Sequence, residues 1–132
     1  MLGEMLGEST GKRVLRRVVS ANPLAVEVTF EGSGKLLGAN FVEFGTYTAG
    51  PRPDGKLYGT GQGVVTTMDG DMVTWQGSGL GTFKERGAVS YRGAIYYQTA
   101  STKLARLNSV AAVFEFEVDA EGKTSSKIWE WK

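Results

Sequence analysis

The sequence predicts an all-β chain folded as a single antiparallel barrel of about eight strands, and three observations carry that prediction. Apolar and polar residues alternate over much of the chain with the period of two expected of half-buried strands. Turn signals that end in glycine recur between these runs: Pro53-Asp54-Gly55, Asp69-Gly70, Glu85-Arg86-Gly87 and Asp119-Ala120-Glu121-Gly122. Finally, glycines fall at strict spacing of two on either side of the Asp69-Gly70 turn, at Gly59, Gly61, Gly63 and at Gly77, Gly79, Gly81. Successive side chains of a strand point to opposite faces, so each triplet strips one face bare. The opposite faces carry Thr60, Gln62, Thr66 and Thr74, Gln76, Ser78, Thr82. Those are polar and face water, which turns the glycine side inward.

Taken in order, the chain opens with a tandem Met-Leu-Gly-Glu too short to be a structural repeat. Residues 12–20 mix apolar and basic side chains and read as a strand ending at Asn22-Pro23. Lys12, Arg13, Arg16 and Arg17 form a cluster that could grip an anion, although a solvated or intersubunit face suits four cations without aromatics better. Leu24, Val26, Val28 and Phe30 alternate with Glu27, Thr29 and Glu31. A turn at Gly34 then pairs Phe30 with Leu36, Val28 with Gly38 and Val26 with Asn40. This places Asn40 on the apolar face, as a structural amide or a polar hook. The turn at Pro53-Asp54-Gly55 sets Tyr47 opposite Gly61 and Gly45 opposite Gly63, which brings odd-numbered residues inward. Reconciling the two parities requires a β-bulge near Phe44-Gly45.

The Asp69-Gly70 turn faces Gly61 to Gly77 and Gly59 to Gly79. The next turn lays Tyr91 beside Gly81, Gly93 beside Gly79, Ile95 beside Gly77 and Tyr97 beside Trp75, and aromatics over cross-strand glycines stabilise sheets. Residues 99–108 break the alternation and suit a helical turn or loop capping one barrel end, with Lys103 and Arg106 near a mouth. Val110, Ala112, Phe114, Phe116 and Val118 resume it. The Gly122 turn pairs Phe114 with Ile128 and Glu115 with Lys127. It also turns Trp129 and Trp131 outward and Glu130 inward near Ala112, whereas a slip of one residue would bury both tryptophans.

At 132 residues the chain is long enough for one domain, 1–132, with a core of its own. It has no cysteine and no histidine. That excludes disulfides, thiol nucleophiles, Cys/His metal sites and imidazole acid–base chemistry. Absent cysteines suit a cytoplasmic location. The acidic start does not resemble a signal peptide, and no apolar run approaches the roughly 20 residues of a membrane helix. A net charge of +1 with interspersed signs offers no field for nucleic acid or membrane. The Gly-x-Gly runs lie along strands rather than between a strand and a helix, so they are not phosphate loops. Asp69-Gly70-Asp71 is a turn and not a calcium loop. No metal site and no cofactor is expected.

What remains is the interior. The bare inward positions leave volume that is either filled by facing aromatics or kept as a ligand cavity. An open cavity would be lined by Tyr47, Trp75, Tyr91, Tyr97 and Phe114, with Asn40 and the tyrosines as polar hooks. Glu130, if inward and desolvated, is the candidate acid–base residue. The exposed Trp129 and Trp131 suggest a homo-oligomer.

The glycine-rich antiparallel barrel, its Gly-x-Gly-x-Gly hairpin and its Trp129-Glu130-Trp131 tail resemble uncharacterised microbial proteins with an allene-oxide-cyclase-like, or calycin-like, barrel. The resemblance implies a small hydrophobic molecule bound inside the barrel, and oligomers. It transfers no catalytic residue onto this sequence. Three functions stay open: binding of a small apolar or aromatic molecule, a cofactor-free isomerase or cyclase, and an interaction module with a filled barrel.

Overall fold

A computed structural model describes residues 2–132. Met1, the first residue of the expected 1–132 domain and of the tandem Met-Leu-Gly-Glu, lies outside the described residues. Eight strands, β1 (Leu2–Ala21), β2 (Leu24–Leu36), β3 (Ala39–Pro51), β4 (Leu57–Thr67), β5 (Met72–Phe83), β6 (Val89–Thr99), β7 (Ala112–Val118) and β8 (Lys123–Trp131), follow one another around a closed barrel. Each pairs antiparallel with its neighbour in sequence, and β8 closes the ring against β1. Closure removes the free edges that an open sheet would expose.

The turns behave as their residues dictate. Gly55, Gly70, Gly87 and Gly122 all take positive φ, between 82° and 89°. Each ends a tight turn whose flanking residues bond, as Thr67 N–H does to Asp71 O at 2.9 Å and Lys84 N–H to Ala88 O at 2.7 Å. The registers counted from these turns hold. Gly61 faces Tyr47 and Gly77, Gly79 faces Gly93, Tyr91 faces Gly81, Tyr97 faces Trp75, and Phe114 faces Ile128.

The first hairpins differ from expectation. The β2–β3 turn falls at Leu37-Gly38, with φ of 49° and 81°, and not at Gly34. Two consecutive positive φ values make the two-residue connection that matches strand twist. Gly34 stays within β2, paired with Ser9 and Phe41, because β1 crosses it closely: a Cβ there would lie 2.0 Å from the Glu8 carbonyl oxygen. The glycine serves strand approach instead of a turn. Phe30 therefore pairs with Gly45, Val28 with Tyr47 and Val26 with Ala49. The β2–β3 ladder runs without a shift, so no bulge occurs at Phe44-Gly45. The register shifts lie in β1, between Arg13 and Leu15 and between Val18 and Ser20 against β2, and between Leu2 and Met5 and between Met5 and Gly7 against β8. That strand is also longer than residues 12–20, since its first half, from Leu2, pairs with β8.

One end of the barrel is plugged. Leu6, Leu36, Phe41, Val65, Val73, Ile95 and Ala112 pack with Leu104, Leu107 and Val110, which reach over from the loop between β6 and β7. That loop contains a 3₁₀ turn, Ala105–Ser109, and its apolar side chains cap the end as expected. Arg106 sits outside the plug, bonding Glu130 at 2.8 Å and Glu4 at 3.3 Å, while Lys103 pairs with Asp69 at 2.7 Å.

Candidate functional site

Below the plug, the glycines and the aromatics meet. Five of the glycine contacts are with rings or their stems: a Cβ on Gly63 or Gly45 would strike Trp75, on Gly81 Tyr91, on Gly61 Tyr47, and on Gly79 Phe114. Gly77 and Gly93 instead admit a neighbouring backbone, with carbonyl oxygens at 2.9 Å and 2.0 Å from a built Cβ. Gly59 is different, its nearest neighbours standing at 3.5–3.7 Å. Most of the bare face is thus occupied by ring edges, and the rings do not fill it completely.

A cavity of about 90 Å³ remains. Phe30, Tyr47, Trp75, Tyr91, Tyr97, Phe114 and Phe116 form its walls, with Ile95, Ile128 and the backbone of the glycine strip completing them. The rings make a connected cluster. Phe30 and Phe116 centroids lie 5.1 Å apart, Tyr47 and Tyr91 5.6 Å, and Phe30 and Trp75 6.3 Å, in tilted, edge and stacked arrangements respectively. Such pairs hold their rings in place beyond simple burial.

The polar centre of this cavity is Glu43, on β3 between Phe41 and Gly45. Its Oε2 accepts the indole N–H of Trp75 at 3.3 Å, and its Oε1 accepts the hydroxyl of Ser9 at 3.4 Å. Ser9 in turn shares a 2.7 Å hydrogen bond with Ser126. No cation pairs with Glu43 among the described residues. Burial raises its carboxyl above the usual range, and the Trp75 and Ser9 hydrogen bonds only partly oppose this. Burial and, more weakly, the charge of Glu43 push the Tyr97 phenol up. Tyr47 is pushed up as well, first by burial and then by Tyr91, against the pull of Arg13 and Arg16. A carboxyl and three phenols in an aromatic box can donate, accept and relay protons. Among the described residues, no group of three or more His, Cys, Asp or Glu side chains is placed to hold a metal ion.

Of the six residues expected to line a pocket, Tyr47, Trp75, Tyr91, Tyr97 and Phe114 converge on this cavity. Asn40 does not join them. It is exposed, opposite Lys35 beside the Leu37-Gly38 turn, because moving the turn reversed which β3 residues face inward. Glu130 pairs with Ala112 as expected, but it lies at the plugged end, bonded to Arg106 and away from the cavity lining. Trp129 stands beside Val113, and Trp131 is 61% exposed. Glu43 was missed by the sequence reading for the reason that misplaced Asn40. Continuing the odd parity of Tyr47 and Gly45 back along β3 would have brought Glu43 inward.

No protein-family model and no curated protein matches the chain. Solved structures do resemble it. A Clostridium acetobutylicum protein of unknown function superposes with a TM-score of 0.85 at 16% identity, covering 98% of this chain and 99% of that one. A β-barrel-like protein from Acinetobacter baumannii gives 0.82 at 13% identity, over 100% and 96% of the two chains. An enzyme from Penicillium herquei gives 0.71 at 16% identity, over 96% and 92%. At these identities the likeness establishes a shared eight-stranded barrel.

Proposed function

We propose that the barrel interior binds one small, largely apolar or aromatic molecule and that Glu43 is its polar anchor. The observation that carries this reading is a carboxyl held without a cation inside an aromatic-walled cavity of about 90 Å³. A single water needs only about 10–15 Å³ of such space, so the volume is well beyond a packing defect. Tyr47, Trp75, Tyr91, Tyr97 and Phe114 supply flat apolar walls, and Glu43 orients a ligand through its one hydrogen-bonding group. Native mass spectrometry of protein purified from its own host tests the reading. A retained small molecule, weakened in Glu43→Ala, is the expected result. Bare protein only, together with no thermal shift from indole, naphthol or cinnamate at millimolar concentration, overturns it.

A second reading is favoured by the desolvation of Glu43: a cofactor-free isomerase or cyclase in which Glu43, rather than Glu130, moves the proton. The likeness to a fungal enzyme supports it at the level of the barrel. Membership of an allene-oxide-cyclase-like, calycin-like group is supported by the same architecture. We extend the proposal to a cytoplasmic homo-oligomer joined through Trp129 and Trp131, supported by the exposure of Trp131 beside Leu2, itself 56% exposed. Light scattering on Trp131→Ser, with loss of the oligomer expected, tests that contact.

A further inference from the structure

The outer face of the same wall carries a second concavity, of about 450 Å³, across strands β3 to β6. Its floor includes the paired backbones of Gly45 and Gly63, closed from inside by the Trp75 indole. Two cross-strand rows of outward side chains stand on this floor. One runs Thr46, Gln62, Gln76, Tyr96 and the other Phe44, Val64, Thr74, Gln98. The aromatics therefore occupy opposite corners, Phe44 at 60% and Tyr96 at 58% exposed. Three inter-strand steps separate their strands, a span of about 14 Å.

Gln62 and Gln76 lie on the strands between the aromatic corners, and Gln98 stands two residues beyond Tyr96 on β6. Their side chains make no hydrogen bond to the rest of the protein among the described residues, so each offers two N–H donors and a carbonyl acceptor. Among the described residues, no ionisable side chain other than the inward Tyr97 and the corner Tyr96 lines the groove. A phosphate-bearing partner would find no cation there. A purely apolar partner would desolvate the amides without replacing their hydrogen bonds. A molecule that is uncharged, rich in hydroxyls that donate and accept, and equipped with flat C–H faces satisfies both the amides and the rings. We propose that this groove binds a neutral carbohydrate chain, stacked on Phe44 and Tyr96 and hydrogen-bonded by Gln62, Gln76 and Gln98. The site is separated from the interior by the sheet itself, and it does not depend on what the cavity holds.

The test is titration of the whole chain by calorimetry and saturation-transfer NMR at millimolar ligand. The probes are the hexasaccharides of β-1,4-glucose, α-1,4-glucose, β-1,4-mannose, β-1,4-xylose and β-1,4-N-acetylglucosamine, with hexagalacturonate as the charged comparison. At least one neutral hexasaccharide binds, with saturation transferred to its ring C–H protons, and hexagalacturonate does not. Tyr96→Ala and Gln76→Ala, on adjacent strands, each weaken binding by about tenfold or more without lowering the melting temperature. Gln62→Ala serves if either variant is poorly folded. Three results overturn the proposal: no neutral hexasaccharide binds, binding survives unchanged in these variants, or the wild-type chain proves to be an oligomer that Tyr96→Arg dissociates. The last would make the face an interface between copies.

Discussion

Replacing Gly63 with alanine probes the fit of Trp75 against the glycine strip, on which the cavity depends. A Cβ at Gly63 would stand 2.4 Å from two carbons of the Trp75 ring, whereas ordinary contact begins at 3.4 Å. The indole must therefore retreat by 3.4 − 2.4 = 1.0 Å. It is rigid and already stacked on Phe30 at 6.3 Å, so the movement comes from its rotamer and from the strand. Overpacking of this kind costs about 1–3 kcal/mol. The displaced Nε1 also leaves Glu43, losing a hydrogen bond worth about 0.5–1.5 kcal/mol. Against this, alanine restricts the unfolded chain by about 0.4–1 kcal/mol. The net expectation is a destabilisation of about 0.5–4 kcal/mol, centred on about 2 kcal/mol. For a chain of 132 residues each kcal/mol lowers the melting temperature by about 4 °C. Chemical denaturation, with near-UV circular dichroism to follow the indole, measures both effects. Gly59→Ala is the matched comparison, because its Cβ would meet nothing closer than 3.5 Å. It should be neutral or slightly stabilising while narrowing the cavity. Equal stability of the two variants would refute the assignment of Gly63 as space for Trp75.

The raised pKa of Glu43 has a definite sign in stability. A carboxyl whose folded value lies above its unfolded value contributes stability that is fully present below the unfolded value, near 4.5, and lost as pH rises through the folded one. Glu43→Gln should therefore gain on the wild type between acid and neutral pH in denaturant titrations; a stability of the variant relative to the wild type that stays constant or falls over that range contradicts the burial argument. Leu107 is fully buried in the end plug, and Leu107→Ala should cost about 2–5 kcal/mol in the same measurement, with a smaller loss showing that the loop is not integral to the core. Arg106 is substantially exposed, so in the same measurement Arg106→Ala should leave stability nearly unchanged despite its two ion pairs, and a loss comparable to that of Leu107→Ala would contradict this. Asn40→Ala and Glu130→Gln should leave any ligand retained by the barrel bound as in the wild type, since neither residue lines the cavity; loss of ligand in native mass spectra of either would move the site.

Much of this molecule follows from local chemistry. Period-two alternation implies strands whatever their partners, and an Asp or Glu one to three residues before a glycine at positive φ forces a tight turn of countable length. From Pro53-Asp54-Gly55 onward, counting outward from each turn was enough to place Tyr47 opposite Gly61, Tyr91 opposite Gly81 and Glu130 opposite Ala112. Gly34 marks where that reasoning stops. A glycine is required either by a left-handed turn or by a neighbouring backbone that leaves no room for a Cβ, and local sequence does not distinguish the two. Only the approach of β1, distant until the barrel closes, decides that Gly34 continues a strand and that Leu37-Gly38 makes the turn. That single choice inverts the β3 facing, removes Asn40 from the interior and puts Glu43 into it. The size of the cavity was likewise beyond the sequence. Whether rings laid over bare glycines fill a barrel or leave about 90 Å³ depends on how seven aromatic side chains from five strands divide one space, and that is settled only when all of them are present together.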